Sequence, residues 1–152
     1  MNTMNIMNSM NNMNIKAGIN LKTLATGLFI VFSLISPSTY AKHLHYEKEY
    51  QEYFCNLYGG TMEVQLRDYT RVDCETENNA IEFDFAKKWA ESVGQSLYYS
   101  LRTGKKAGIV LIMENPVKDK YYLMRVLDLA KEHNIDVWTM TDLTEEAIRK
   151  EN

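Results

Sequence analysis

The chain has 152 residues, of which 17 are Lys or Arg and 20 are Asp or Glu, so its formal net charge is −3 at neutral pH. A chain of this length builds one hydrophobic core and has little room for a second domain. The acidic balance excludes a general electrostatic attraction to nucleic acid.

Residues 1–41 contain no acidic side chain and have the organisation of a secretory signal peptide. A Met/Asn-rich start with two lysines is followed by an apolar run of about 12 residues from Leu24 and by small residues that end at Ala41. A membrane anchor would need roughly 20 apolar residues. We therefore predict that residues 42–152 are exported, to the periplasm or the medium, and are not bound to a membrane after cleavage.

Without this leader the chain loses two lysines and no acid, so residues 42–152 carry 15 basic and 20 acidic side chains, a net charge of −5. The predicted mature domain begins with His43-Leu44-His45. Two alternate imidazoles could bind a metal ion, but a new N-terminus is expected to be loose.

The first predicted helix begins near Tyr46 and ends at Gly59-Gly60. Its apolar stripe consists of Tyr46, Tyr50, Tyr53 and Leu57, with Phe54 beside them. On a wheel of about 100° per residue, Glu47 and Glu49 flank this stripe, whereas Glu52 lies on the opposite side. Only the two flanking acids could overhang the surface that the helix covers.

Three short segments with alternating or β-favouring residues follow, separated by polar turns, and predict an antiparallel meander. They span residues 62–69, 70–76 and 80–85. Asp73 lies on the second strand, and Glu82 and Asp84 share one face of the third. On neighbouring strands, such carboxylates approach closely and repel each other unless a cation or a proton lies between them. The alternative is a solvated acidic sheet face.

The rest of the chain alternates helices and strands. A helix over 87–102 is expected to turn Trp89, Val93, Leu97 and Leu101 inward. The apolar run 107–113 predicts a strand covered on both faces, and a helix over 121–133, a strand over 135–140 and a short helix after Asp142 follow. A meander that leads through a helix into a buried parallel strand predicts an α/β sandwich.

Over roughly residues 46–140, this pattern resembles the PD-(D/E)xK superfamily, the restriction-endonuclease-like nucleases, of which the chain looks like a divergent small bacterial member. Asp73 matches the family's Asp, and Glu82-Phe83-Asp84 stands where the family has Glu-x-Lys. Gln95-Ser96-Leu97-Tyr98 looks like the motif of the next helix, and Glu49 is the best match to the acid of the first helix.

The resemblance implies a metal-dependent phosphodiesterase that acts on DNA or RNA through Mg-activated water. It implies that Asp73, Glu82 and Glu49 hold Mg²⁺ or Mn²⁺, since hard cations prefer oxygen ligands. Asp84 stands where the family has a lysine and cannot supply its positive charge. The attacking water would then be positioned by Asp84 or by Lys88 of the following helix. Gln95 would orient a ligand or contact the substrate. The alternatives are an inactive nuclease-fold binding module and an unrelated exported α/β protein with surface acids.

Cys55 and Cys74 are the two cysteines of the chain. An even number of cysteines in an oxidising compartment favours a disulfide. However, Cys55 projects away from the predicted helix stripe and Cys74 faces opposite to Asp73. The sequence therefore leaves both the bonded and the free state open.

Overall fold

The computed structural model describes residues 42–152, and the predicted signal peptide of residues 1–41 lies outside the described residues. The elements in chain order are α1 Glu47–Leu57, β1 Thr61–Gln65, β2 Arg71–Glu75, β3 Asn79–Phe85, α2 Trp89–Thr103, β4 Lys106–Ile112, α3 Pro116–His133, β5 Asp136–Met140 and β6 Ile148–Lys150. Short 3₁₀ turns at Ala86–Lys88 and Glu145–Ala147 precede α2 and β6. Within residues 42–152, none of the helices has the length and apolar character needed to cross a bilayer.

The strands form one mixed six-stranded sheet in the order β1-β2-β3-β4-β5-β6. The first three strands are antiparallel, β3, β4 and β5 run parallel, and β6 is antiparallel to β5. The predicted meander and the parallel fourth strand are thus confirmed. The prediction of a C-terminal helix is wrong, because Thr144 caps only a single 3₁₀ turn and the next residues pair with β5, with Ile148 opposite Met140.

Helices cover both faces of the sheet, which is compatible with an α/β sandwich. On one face, Phe54 of α1 packs with Phe83 and Val110. On the other face, Val93 of α2 and Val126 of α3 pack with β4 and β5 residues such as Ile109. Consecutive residues of β4 therefore belong to opposite cores, as expected for a strand covered on both sides.

Helix α1 turns a different face to the sheet from the one that its tyrosine spacing predicts. Its buried residues are Tyr50, Gln51, Phe54 and Cys55. Tyr46 is 79% exposed. Because Cys55 is disulfide-bonded to Cys74 of β2, with 5.8 Å between their Cα atoms, this side of α1 must face the sheet. At about 100° per residue the buried face is rotated by about 90° from the predicted stripe, which brings Glu47 rather than Glu49 toward the sheet.

Helix α2 is also rotated relative to the prediction. Its buried residues are Ser92, Val93, Ser96 and Tyr99. Leu101, expected in the core, is 79% exposed. The hydroxyls of Ser92 and Ser96 donate hydrogen bonds to carbonyl oxygens in their own helix, so these small side chains are buried without losing a partner. The same face brings Tyr99 against Val72 and Ala80.

Candidate acidic site at the end of the third strand

Strands β2 and β3 separate where the acidic residues begin. Their register runs through Glu75 opposite Ala80 and Cys74 opposite Ile81. At the next position, Asp73 Oδ2 accepts a hydrogen bond of 2.9 Å from the backbone N–H of Phe83. The Asp73 carboxylate thus takes the place of a backbone carbonyl as the acceptor for this N–H, and the regular pairing of β2 with β3 ends here.

The acids of β3 are buried, which excludes the alternative of a solvated sheet face. Glu82 is 5% exposed and Asp84 is 2% exposed. Among residues 42–152, Glu82 Oε2 and both carboxylate oxygens of Asp84 have no hydrogen-bond partner. A buried polar atom without a partner costs about 1–3 kcal/mol. Such atoms persist where a ligand or a function compensates for them.

Burial and mutual repulsion raise the pKa values of Asp73 and Glu82 well above those of ordinary carboxyl groups. Burial, followed by the charges of Asp73, Asp84 and Glu47, raises the pKa of Glu82 to about 10. Burial also raises the pKa of Asp73 to about 7, although the hydrogen bond from Phe83 opposes the rise. Because the two carboxyl groups lie close together, the pair keeps a proton at a pH where free carboxyl groups are ionised.

Lys88 brings a positive charge to the edge of this cluster. Its Nζ lies 3.1 Å from Asp84 Oδ1, but without the directionality of a hydrogen bond. Burial raises the pKa of Asp84 and the nearby ammonium opposes the rise, while the same contact raises the pKa of Lys88. One 3₁₀ turn lies between Asp84 and Lys88 in the chain, and this turn brings Lys88 back to the end of β3.

Helix α2 contributes Gln95 together with Tyr99, a residue that the sequence pattern did not indicate as part of the site. The Tyr99 hydroxyl donates a hydrogen bond of 3.1 Å to Gln95 Oε1. Burial, followed by the charges of Glu82 and Asp73, raises the pKa of Tyr99 to about 12. The signal that could have identified Tyr99 is its spacing of four residues from Gln95, which places both on one side of the helix.

Glu49 lies away from the acidic cluster. Its Oε2 accepts a hydrogen bond of 2.6 Å from the backbone N–H of Tyr46 and closes the first turn of α1. Glu47 is the acid of α1 whose charge raises the pKa of both Asp73 and Glu82. Burial and then Asp84 raise the pKa of Glu47 in turn. The rotation of α1 thus brings Glu47, and not the predicted ligand Glu49, toward the acidic cluster.

The three predicted metal ligands Asp73, Glu82 and Glu49 are not brought together as one site. Within residues 42–152, no group of three His, Cys, Asp or Glu side chains is arranged to hold a metal ion. Mg²⁺ commonly keeps several waters and takes only one or two carboxylates from the protein. Asp73 and Glu82, with raised pKa values and an unpartnered Glu82 oxygen, fit that requirement.

The segment before α1 adjoins this edge of the sheet, and the prediction of a loose N-terminus is wrong. His43 Nδ1 contacts Glu114 Oε2 at 2.7 Å, and His45 Nε2 contacts Asp142 Oδ1 at 3.0 Å. Both acids follow the carboxyl ends of parallel strands, so these two contacts attach the segment to the edge where β3 also ends.

No protein-family model, no curated protein and no solved structure matches this chain. Fold and site together define an α/β protein with a buried carboxyl site at the end of a sheet strand. The resemblance to the PD-(D/E)xK superfamily remains an expectation from the sequence.

We expect the metal-free protein to become less stable as the pH rises from about 5 to 9. In this range the unfolded chain has ionised carboxylates, whereas the folded protein keeps a proton on Glu82 and, up to about pH 7, on Asp73. The folded state binds more protons, so each such group lowers the free energy of unfolding by about 1.4 kcal/mol per pH unit. Urea unfolding in EDTA at pH 5, 7 and 9 measures this slope. A stability that rises over the same interval would contradict the buried-acid description.

Proposed function

We propose that this protein is a metal-dependent phosphodiesterase of the nuclease type, with a restriction-endonuclease-like fold, that acts on DNA or RNA. The observation that carries the proposal is the pair of half-buried Asp73 and buried Glu82 on the neighbouring strands β2 and β3, with one Glu82 carboxylate oxygen left unpartnered. Two carboxyl groups placed this close ionise together only when a cation lies between them, and otherwise one of them keeps a proton.

In this proposal, Asp73 and Glu82 hold Mg²⁺, or Mn²⁺ in its place. The bound cation would offset the charge of the carboxylates and of a substrate phosphate. Lys88, whose side chain is 54% exposed, faces solvent at the edge of the site and can contact a phosphate oxygen while it neutralises Asp84. The Tyr99 hydroxyl orients the Gln95 amide, whose NH₂ group is left to donate to the substrate.

We further propose that the enzyme acts outside the cytoplasm, after removal of residues 1–41. The bond between Cys55 and Cys74 supports this, because disulfides persist in oxidising compartments and are rare in the cytosol. Extracellular or periplasmic nucleic acid would then be the substrate.

A second candidate is a nuclease-fold binding module without turnover. It is favoured by the pairing of the basic residues near α2, which would otherwise attract a phosphate backbone. The four ion pairs there are Lys88 with Asp84, Arg102 with Asp68, Lys105 with Glu75 and Lys106 with Asp136. Neutralised in this way, the edge offers less free positive charge to nucleic acid than its sequence suggests.

Calorimetric titration with Mg²⁺ and Mn²⁺, combined with a cleavage assay, tests the proposal. We expect the wild type to bind one ion and to cut plasmid or single-stranded nucleic acid, and Asp73→Asn to lose both. Lys88→Ala should bind the ion but cut about 10- to 100-fold more slowly, since it loses one charged contact to the phosphate. Asp128→Asn, an exposed acid of α3, is the matched control and should behave as the wild type.

The two measurements separate the candidates. Ion binding that depends on Asp73, without cleavage of any nucleic acid, would leave the binding module. The absence of ion binding in the wild type would remove both candidates. Full cleavage by Lys88→Ala would remove Lys88 from the mechanism.

A further inference from the structure

The turn between β1 and β2, residues 66–70, holds a tyrosine in a backbone conformation that favours glycine. The backbone N–H of Tyr69 donates to the Leu66 carbonyl oxygen at 3.1 Å, and the N–H of Leu66 donates to the Thr70 carbonyl oxygen at 2.8 Å. These bonds close a three-residue loop, whose last position is left-handed and is usually Gly. Tyr69 has a φ of 69°, so its bulky side chain strains the turn.

Packing of the Tyr69 ring does not compensate for this strain, because the residue is 84% exposed. The turn would close equally well around Gly or Asn, the residue types that adopt the left-handed conformation most often. A strained residue that gains little from packing indicates a function outside folding. An exposed aromatic ring is suited to stack against a partner that has a flat face of its own.

The turn is fixed against helix α2 by the carboxylate of Asp68. Its Oδ1 accepts hydrogen bonds from the backbone N–H of Thr70 at 3.2 Å and from the Thr70 hydroxyl at 2.7 Å. Its Oδ2 accepts from the Tyr98 hydroxyl and lies 3.5 Å from Arg102 Nε. The bond from Tyr98, followed by those from Thr70, lowers the pKa of Asp68 to about 2, so this anchor stays ionised. The Tyr69 ring is therefore presented by a turn that is already ordered, which saves a partner the cost of ordering it.

The surroundings of the turn are basic, although residues 42–152 carry 15 basic and 20 acidic side chains. Arg71 pairs with Glu63 at 3.0 Å, and Arg102 lies against Asp68. Arg67 is exposed and forms no ion pair with any residue of 42–152. Three arginines against two acids leave one positive charge in excess at the turn. This local charge favours an anionic partner.

An aromatic ring next to a free arginine fits single-stranded nucleic acid. Every base has a flat face that stacks on a tyrosine ring, and arginine binds the phosphates of the backbone. In a duplex the bases stack on each other and their faces are not accessible. Tyr69 and Arg67, two residues apart on one turn, therefore present the two kinds of contact that a single strand of DNA or RNA takes up.

The turn lies within reach of the acidic site along one strand. Strand β2 begins at Arg71, directly after the turn, and contains Asp73. The four residues from Tyr69 to Asp73 span at most about 14 Å, because a fully extended chain covers no more than about 3.6 Å per residue. About four stacked nucleotides, at 3.4 Å each, cover the same distance. A short oligonucleotide is thus long enough to contact both places.

We infer that the β1–β2 turn is a docking surface for single-stranded nucleic acid, on which Tyr69 stacks against a base and Arg67 binds a phosphate. The inference rests on the proposed function, since it names the form of nucleic acid that the phosphodiesterase takes as its substrate. Tyr69 contacts a part of the strand away from the bond that is cut. Its contact is the same before and during the reaction, so its loss weakens binding and leaves the chemical step unchanged.

A labelled oligothymidylate of about 12 nucleotides, titrated in EDTA so that it is not cut, is the probe for this inference. We expect Tyr69→Ala to raise its Kd about tenfold, because one base loses its stacking partner, and Tyr69→Phe to bind as the wild type. Arg67→Ala should lower the slope of log affinity against log salt concentration by about 0.7, the effect of one phosphate contact. Tyr121→Ala, which removes a tyrosine of α3 that is 61% exposed, is the control and should bind as the wild type.

Tyr69→Gly separates a function in binding from a function in folding. Gly adopts the left-handed conformation without strain, so we expect this variant to unfold at a urea concentration at least as high as the wild type. Its Kd for the oligothymidylate should nevertheless rise about tenfold, as for Tyr69→Ala. With Mg²⁺ and a single-stranded substrate, KM should rise by the same factor while kcat is kept. A Tyr69→Gly protein that is less stable than the wild type would show that the ring serves the fold and would overturn the inference.

The outcomes distinguish this inference from the proposed function. If the wild type cuts nucleic acid and depends on Asp73, but the Tyr69 variants bind the oligothymidylate as tightly as the wild type, only the docking surface is overturned, and the exposed ring is left for a protein partner. If binding depends on Tyr69 and nothing is cut, the docking surface stands and the phosphodiesterase falls. A wild type that neither binds the oligothymidylate nor prefers single strands in cleavage overturns the docking surface.

Discussion

Replacement of Glu82 by Gln is expected to abolish phosphodiester cleavage and, at the same time, to stabilise the metal-free protein. Gln keeps the shape of the side chain and cannot ionise. At pH 8 the unfolded wild type has an ionised Glu82, whereas in the folded state burial and neighbouring acids raise the pKa of this group to about 10. Folding at pH 8 must therefore protonate Glu82, which costs several times 1.4 kcal/mol, the free energy of one pKa unit. Gln avoids this cost, so we expect the free energy of unfolding of the variant to exceed that of the wild type by about 2–4 kcal/mol.

Activity should change in the opposite direction, because Glu82 is one of the two proposed ligands of the cation. A loss of at least 100-fold in cleavage is expected when a metal ligand is replaced by an amide. Urea unfolding at pH 8 in EDTA measures the stability, and the plasmid assay measures the rate. Glu52→Gln, on the exposed side of α1, is the control and should change neither. A less stable Glu82→Gln protein would show that Glu82 has a favourable buried partner.

Removal of the disulfide is expected to lower the free energy of unfolding by about 3 kcal/mol, from the entropy of a loop of about 20 residues in the unfolded chain. Cys55 and Cys74 are 19 positions apart and both are fully buried, so the double variant Cys55→Ala, Cys74→Ala also leaves a small cavity. Urea unfolding of the oxidised wild type and the double variant checks this. Reduction of the disulfide in the wild type should reproduce most of this loss of stability. Equal free energies of unfolding for the oxidised wild type and the double variant would contradict the prediction.

Gly60→Ala provides a sharper test of the same region. A Cβ atom at residue 60 would lie 2.6 Å from Cys74 Sγ and 2.7 Å from Cys55 Sγ. The disulfide cannot move away easily, so we expect a destabilisation of about 1–3 kcal/mol in the wild type. In the double Ala variant both sulfur atoms are gone and the same substitution should cost much less. Equal costs in the two backgrounds would show that the clash is not with the disulfide.

Several features of the fold could be predicted from local pattern. The apolar run of β4 predicted a strand covered on both faces, and Ile109 and Val110 indeed belong to opposite cores. Glycine favours the left-handed conformation that ends many helices, and Gly104 caps α2 in this conformation. The alternation in β3 placed Glu82 and Asp84 on one face, and both acids are buried. Such features depend on residues within one or two turns of each other.

The candidate site was predictable only in part. Asp73, Glu82 and Asp84 could be proposed because carboxylates on adjacent strands repel each other unless a cation or a proton lies between them. Their burial could not be predicted, since it depends on the helices that pack around them. Glu47 and Glu49 both flank the predicted stripe of α1, and Glu49 was preferred as the better match to the acid of the family's first helix, whereas the observed rotation of α1 brings Glu47 toward the sheet. Two adjacent faces of this helix carry apolar residues, and local periodicity does not decide between them.

The sequence by itself determined which residues are neighbours along each strand and helix, because backbone geometry sets that spacing wherever the element lies. Only the tertiary structure decided which face each helix turns inward. For α1 the bond from Cys55 to Cys74 decides it, and for the N-terminal segment the contact of His43 with Glu114, 71 residues away, decides its place. These are contacts between distant parts of the chain, whose formation depends on the packing of the whole sheet and not on any local pattern.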